Sequence, residues 1–135
     1  MVKLEKLNKI LKALGDPGRV RIIALLSKKK NLCVCEIQDI INLSQSTISF
    51  HLKLLENTGI VECQRQGLWA NYNIKSNLDY SIKQIINNVV SLLKDDERII
   101  EDRLKVNSIR RKNGEAIKFP TIKELTEAIK KVKEG

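Results

Sequence analysis

NLSQSTISFHLKLLENTG, residues 42–59, carries the information on which the fold turns. Ile48, Leu52 and Leu55 recur at i, i+4 and i+7, the spacing of one buried helical face. Ser44 stands where an N-cap is needed, and Gly59 follows the last apolar turn. Just upstream, NLCVCEIQDI at 31–40 opens another short helix that runs to about Asn42 through Ile37, Ile40 and Ile41. Two short helices with so tight a break between them, the second rich in small polar residues at its start, form a helix-turn-helix.

On the N-terminal side, Leu4, Leu7, Ile10, Leu11 and Leu14 lie at helical spacing, with Gly15 placed as a C′ residue. Asp16 then caps a second helix with Pro17 at N1. Its expected buried stripe is Val20, Ile23, Ala24 and Leu26, and Lys28 to Lys30 close it with favourable charge. On the C-terminal side the period changes. IVECQRQGLWANYNI, 60–74, reads as a β-hairpin with a polar tip at 65–67. Trp69 and Tyr72 are assigned to packing of that hairpin.

Asn77 is the expected cap of a fifth helix carrying Leu78, Ile82, Ile85, Ile86, Val89, Leu92 and Leu93. So apolar a stripe suits contact with a second copy of the chain, so Leu4, Leu7, Leu11, Leu78, Ile82, Ile85, Ile86 and Val89 are assigned to dimerisation. Residues 95–120 are charged and poorly patterned. Thr121 and Glu124 form a T-x-x-E box ahead of a last helix with Ile122, Leu125, Ile129 and Val132 on one face. The division expected is 1–94, a DNA-binding and dimerisation domain, and 95–135, a charged extension with a terminal helix.

The whole chain has 135 residues and a formal charge of +9, from 25 Lys and Arg against 16 Asp and Glu. A surplus of that size suits a polyanionic partner, nucleic acid being the usual one, or simply a solvated basic face. Three cysteines make no disulfide scaffold and fit a reducing compartment. The lysine-studded N-terminus is no signal peptide, and no segment reaches the roughly 18 apolar residues of a membrane span. The expectation is a soluble cytoplasmic protein that does not engage membranes.

Helix, helix, helix-turn-helix, hairpin, helix is a winged-helix layout, mainly α with a small β-hairpin wing. In ALGDPGRVRIIALL, LCVCEI, SQSTISFHLKLLENTGIV and RQGLWANYNI, residues about 5–93 resemble the ArsR/SmtB metal- and metalloid-responsive repressors. The resemblance implies a homodimer that holds an inverted-repeat operator in double-stranded DNA until an inducer releases it. The last forty residues lie outside it.

With the core stripe of 45–57 turned inward, Ser46, Ser49, Phe50 and Lys53 face outward, flanked by Gln45 and Thr47. Gln pairs bidentately with adenine, while Ser and Thr discriminate less and often meet phosphate. Ser44 and Thr47 also serve as caps. Phe50 either touches a thymine methyl or packs on a neighbour. His51, the only histidine, is structural or phosphate-contacting in preference to a metal ligand. Arg65 and Gln66 at the wing tip reach a minor groove or phosphate. These ten residues are the expected DNA face. Two half-sites would lie roughly 34–36 Å apart.

Cys33 and Cys35 lie about 200° apart around a regular helix, so they cannot close on one ion there, whereas extended backbone puts both on one face. Ligation therefore favours an unwound first turn in the helix that supports the recognition helix. Thiolates select soft ions, and a helix N-terminus favours the thiolate. The resemblance implies that C-x-C here marks arsenite/antimonite sensors and also cadmium/lead sensors. Arsenite sensors commonly add a thiol three residues after the second, where this chain has Gln38. Cys63, on the first hairpin strand, is either the third ligand or simply a half-buried strand cysteine, a bound hydroxide or small-molecule thiol then completing the site. Cadmium/lead sensors also use N-terminal cysteines, and residues 1–32 have none; zinc, nickel and cobalt sensors use His on the dimer helix, which has none.

The reading that results is a repressor with no permanently bound cofactor and As(III) or Sb(III) as inducer, other soft ions remaining open. The alternatives are a thiol-based redox or sulfide sensor, or a cadmium/lead sensor, on the same fold. An enzyme is not expected: there is no C-x-x-C in a thioredoxin-like pattern and no phosphate-binding glycine loop. No catalytic residue is assigned.

Overall fold

The computed structural model describes residues 2–112, 115–117 and 122–134. Helices α1 (Leu4–Leu14), α2 (Pro17–Lys28), α3 (Val34–Ile41) and α4 (Gln45–Asn57) precede an antiparallel pair, β1 (Val61–Gln66) and β2 (Trp69–Ile74). Then come α5 (Tyr80–Leu92), α6 (Glu97–Asn107), a second short pair, β3 (Arg110–Lys112) and β4 (Glu115–Ile117), and α7 (Ile122–Glu134). Five helices and a hairpin pack around α2 in the winged helix-turn-helix arrangement. Among the described residues no helix is long and apolar enough to cross a membrane.

Helix α2 is the axis of the core. Asp16 caps it by accepting from Gly18 N at 2.8 Å and Arg19 N at 3.2 Å, and Pro17 opens it at no cost in lost donors. Ile22 to Leu26 are buried without a break, because α2 is covered by α1, α3, α4, α5, α6 and β2 on all sides. The four-residue stripe expected from amphipathicity was therefore too narrow: Ile22 and Leu25 join it, and Val20 is only half-buried. Gly15 ends α1 at φ −81°, so no left-handed turn is present there.

Register in the wing runs from Val61 opposite Ile74 to Gln66 opposite Trp69, leaving Gly67 and Leu68 as the loop. Gly67 takes φ +59°, which a residue without Cβ adopts freely. The tip is thus 67–68 and not the expected 65–67: Arg65 and Gln66 are paired in β1, with Ala70 and Trp69. Leu32 pairs with Tyr72 on the other edge of β2, through Tyr72 N to Leu32 O at 2.8 Å and Leu32 N to Tyr72 O at 3.4 Å. An amide clasp reinforces it: Asn31 N donates to Asn73 Oδ1 at 2.8 Å, and Asn73 Nδ2 to Asn31 Oδ1 at 2.9 Å. The residues leading into α3 are bolted to the wing.

Asp79, not Asn77, caps α5, its carboxylate accepting from Ser81 N at 3.0 Å, so Leu78 precedes the helix. Helix α6 was not anticipated. Asp96 caps it through Arg98 N and Ile99 N, and Ile99, Ile100, Val106 and the following Ile109 are buried. Val106 and Ile109 belong to the main core cluster, so the buried interior continues past residue 94. Arg21 on α2 holds Asp102 on α6 through two bonds of 2.8 and 2.9 Å, and Lys29 Nζ donates to Ile109 O at 3.0 Å. The Thr121 box lies outside the described residues; of the face expected on α7, Ile129 is half-buried and Val132 is 45% exposed.

Candidate nucleic-acid interface and sensor cysteines

Helix α4 buries Ile48, Leu52 and Leu55 and turns its other face to solvent. Ser44, Gln45, Ser46, Ser49, Phe50 and Lys53 are exposed and Thr47 is half-buried. The cap is a small hydroxyl cluster. Ser44 Oγ accepts from Thr47 N at 3.2 Å, donates to Thr47 Oγ1 at 2.8 Å, and meets Ser46 Oγ at 3.2 Å. A hydroxyl has one proton, so with Ser44 donating to Thr47, Ser46 must be the donor to Ser44. Phe50 is 61% exposed, its ring tilted beside that of His51 at 6.0 Å between centroids. On the wing, Arg65 and Gln66 are exposed, and Leu68 at the tip is fully so. Leu68 lies just beyond the tip expected at 65–67, which is why the sequence did not single it out.

His51 does not share this face. It is 7% exposed and points back toward α2. Arg19 Nη1 lies 3.3 Å from its Nδ1, and Asp16 Oδ1 lies 3.7 Å from its Nε2. Burial pushes its pKa down, against the pull of Asp16 and with help from Arg19, so the ring is neutral near pH 7. With Nδ1 accepting from the guanidinium, Nε2 carries the proton and faces Asp16. Burial alone would raise the Asp16 pKa, but the Arg19 and Gly18 N–H bonds together with the nearby charges outweigh it and lower it. Arg19 Nε also donates to Ala13 O at 2.7 Å, closing α1. The lone histidine is thus one member of a polar lock that joins α1, α2 and α4. Gly18 makes room for it, since a Cβ there would stand 3.0 Å from His51 Nε2.

Cys33 is the N-cap of α3, with extended φ −90° and ψ 168°, and Cys35 is two residues inside the helix. Cys33 is buried and Cys35 exposed. Cys33 and Glu36 form a reciprocal capping box. Its stronger half is Cys33 N donating to Glu36 Oε1 at 3.0 Å; in the weaker half the sulfur faces Glu36 N–H. Glu36 is 2% exposed. Burial pushes the Cys33 thiol up; the Glu36 N–H bond opposes this, and the Glu36 carboxylate adds to it. The expectation that the helix N-terminus makes Cys33 a thiolate is therefore corrected: desolvation outweighs the local N–H. The sequence signal for Glu36 is the C-x-x-E spacing from Cys33, which differs from the usual Ser/Thr capping box in its first residue.

Cys63 is not brought to this pair. It stands opposite Tyr72 across the hairpin, and Leu32 stands opposite Tyr72 on the other side. Directly paired residues share a sheet face, so Cys63 shares the face of Leu32, and Cys33 is turned to the other. Two strand spacings, about 9–10 Å, separate those backbones, beyond the span of a disulfide. Cys63 instead lies beside Tyr72, its cross-strand partner, whose pKa burial, with the nearby Cys63, pushes to about 12. Among the described residues no three His, Cys, Asp or Glu side chains gather as a ready metal site.

Of the residues expected at a dimer contact, Leu4 is 82% exposed and Leu11 52%, while Leu7, Leu78, Ile85 and Val89 are half-buried. Ile82 and Ile86 are 2% exposed within the chain's own core, facing inward along α5. They are spent on the monomer.

The family profile described as "Bacterial regulatory protein, arsR family" matches residues 16–62. An uncharacterized HTH-type transcriptional regulator of Methanocaldococcus jannaschii is 43% identical over 64% of this chain and 93% of the relative. A cadmium resistance transcriptional regulatory protein, a CadC homolog of Staphylococcus aureus, is 40% identical, over 58% of this chain and 62% of its own length. An arsenical resistance operon repressor of Bacillus subtilis is 32% identical, over 53% and 68%. This chain thus spans less than two thirds of the cadmium relative. Among solved structures, reduced HlyU from Vibrio cholerae superposes with a TM-score of 0.58 at 28% identity, covering 67% of this chain and 90% of that one. A homodimeric winged helix-turn-helix DNA-binding domain from Mycobacterium bovis gives 0.58 at 24% identity, over 69% and 82%.

Proposed function

The chain belongs to the ArsR family of transcriptional regulators, winged helix-turn-helix proteins that bind DNA, and from that premise we propose that it is a repressor whose inducer is arsenite or antimonite captured by Cys33 and Cys35. One observation carries the reading. The two thiols straddle the junction between extended backbone and α3, where Leu32 is bolted to the wing and α3 packs on the recognition helix α4. Any ligand that needs both sulfurs on one side must unwind that junction, and both DNA-contacting elements are attached to it. Such a two-state element coupling two sites is what allostery requires.

The chemistry suits a neutral metalloid. Arsenous acid, As(OH)3, reacts with two thiols to form RS–As(OH)–SR and releases two waters, so no prior deprotonation is needed. A buried Cys33 held as the thiol meets that requirement. The exposed Cys35 offers the first point of attachment. Exposed Ser44, Gln45, Ser46, Ser49, Phe50 and Lys53, half-buried Thr47, and Arg65 and Gln66 on the wing make up the proposed DNA surface. The homodimer is proposed to use α1, α5 and the residue leading into α5, through exposed Leu4 and Leu11 and half-buried Leu7, Leu78, Ile85 and Val89. A cadmium sensor is the second reading, favoured by the 40% identity to the cadmium regulator.

Fluorescence anisotropy on operator DNA, titrated in parallel with arsenite, antimonite, cadmium, zinc and a thiol oxidant, tests this. Arsenite should release the wild type, while Cys33→Ser and Cys35→Ser should bind DNA normally and stay bound. Cys63→Ser should respond like the wild type. Retained arsenite response in both of the first two variants would show the sensor to be elsewhere.

A further inference from the structure

The capping box on α3 has a consequence for the switch, and it rests on the sensor reading above. We propose that Glu36 is a positioning residue of the sensor: its buried carboxylate latches the Cys33 end of α3 closed, and the latch must open when Cys33 takes up the inducer. Cys33 N–H is one of the donors that the start of a helix leaves exposed, and Glu36 Oε1 satisfies it at 3.0 Å in surroundings from which water is nearly excluded. The sulfur meanwhile faces Glu36 N–H. Both halves of the box are therefore made through the residue whose sulfur the inducer needs.

Bringing Cys33 and Cys35 onto one side requires extended backbone through Val34 and Cys35. That movement carries the start of α3 away from the Glu36 carboxylate, and it turns the Cys33 sulfur from Glu36 N–H to the bound atom. Ligation and latch are mutually exclusive arrangements of the same four residues. The released carboxylate also has somewhere to go. Glu36 lines a cavity of about 280 Å³ together with Lys29, Lys30, Asn31 and Ile109, so two lysines border the space beside it.

A ligand that binds only the unlatched form is weakened by the fraction of molecules that are latched. Weakening the latch should therefore tighten inducer binding while leaving operator affinity nearly unchanged, as long as the latched form still predominates. Sodium arsenite titrated into the full-length protein without DNA, followed by calorimetry, reads this directly. The neutral acid senses no change in local charge. Affinity should rise in the order wild type, Glu36→Gln, Glu36→Ala. The alanine change is expected to give roughly tenfold, as for loss of one cap bond to a charged group. The amide oxygen of Gln still accepts from Cys33 N–H, only more weakly. Operator affinity of both ligand-free variants should stay within about twofold of wild type.

Unchanged arsenite affinity makes Glu36 an ordinary cap, and weaker binding makes it a ligand; either overturns the latch. If Glu36→Ala does not fold, Glu36→Gln decides alone by the same criterion. Wild type that binds neither arsenite nor cadmium removes the sensor reading and the latch with it. Wild type that binds, with the order of variants flat or reversed, removes the latch only.

Discussion

Replacing Asp102 by alanine probes whether α6 is part of the same folded unit as the DNA-binding elements. The carboxylate is 2% exposed and accepts two parallel bonds from Arg21, which is 15% exposed. Breaking a buried pair by removing one partner costs about 3–5 kcal/mol, chiefly because the remaining charge is stranded. Here the stranded guanidinium keeps some access to water, so about 2–3 kcal/mol is the better expectation. For a chain of this size that corresponds to a fall in Tm of roughly 8–12 °C. Urea unfolding of wild type, Arg21→Ala, Asp102→Ala and the double variant gives the coupling directly. The double variant should be less unstable than the sum of the singles by about 1.5 kcal/mol or more. A single-variant loss below about 0.5 kcal/mol, or strict additivity, would refute the docking of α6 on α2. The same geometry bears on truncation. Cutting the chain near Asp95 removes Val106 and Ile109 from the main core cluster, so loss of DNA binding in such a fragment would reflect an opened core and not a role for the tail at the operator.

The two inducer readings separate by pH. Because the Cys33 thiol is pushed up from 9.0, a dication must displace at least one proton, so cadmium affinity should rise at least about tenfold per pH unit from pH 6 to 8. Arsenite, which releases water, should vary little, and calorimetry in matched buffers reads both slopes. His51 makes a second pH test. Its folded-state pKa lies below 6.5, so its contribution is fully present above that pH and is lost as pH falls, when the unfolded chain takes a proton that the folded one refuses. Urea midpoints should drop below pH 6.5 with a slope of at most about 1.4 kcal/mol per pH unit, and His51→Gln should remove that component.

Much of the architecture was readable from the chain because it depends on local rules. Asp16 and Pro17 start α2, Ser44 starts α4, and Gly59 follows its end, since capping and turn preferences are properties of a few consecutive residues. The alternation that announces the wing, and the pairing of Cys33 and Cys35 at the start of α3, are also local. Helix α6 hid for a related reason. In ERIIEDRLKVN the charges mask a short apolar stripe, and only the surface of α2 and α3 makes that stripe worth burying.

What the chain determined by itself was a basic winged-helix protein with two thiols at the entrance to α3. Tertiary structure decided which way the ambiguous side chains point. His51 sits beside the core stripe of α4 and could have faced either way; Asp16 and Arg19, more than thirty residues upstream, draw it inward. Cys63 has the right chemistry for a third ligand, but strand register puts it on the face opposite Cys33. Ile82 and Ile86 fit a dimer seam until α2 covers them. Sequence spacing defines the faces of an element, but which face is buried depends on what the rest of the chain brings against it.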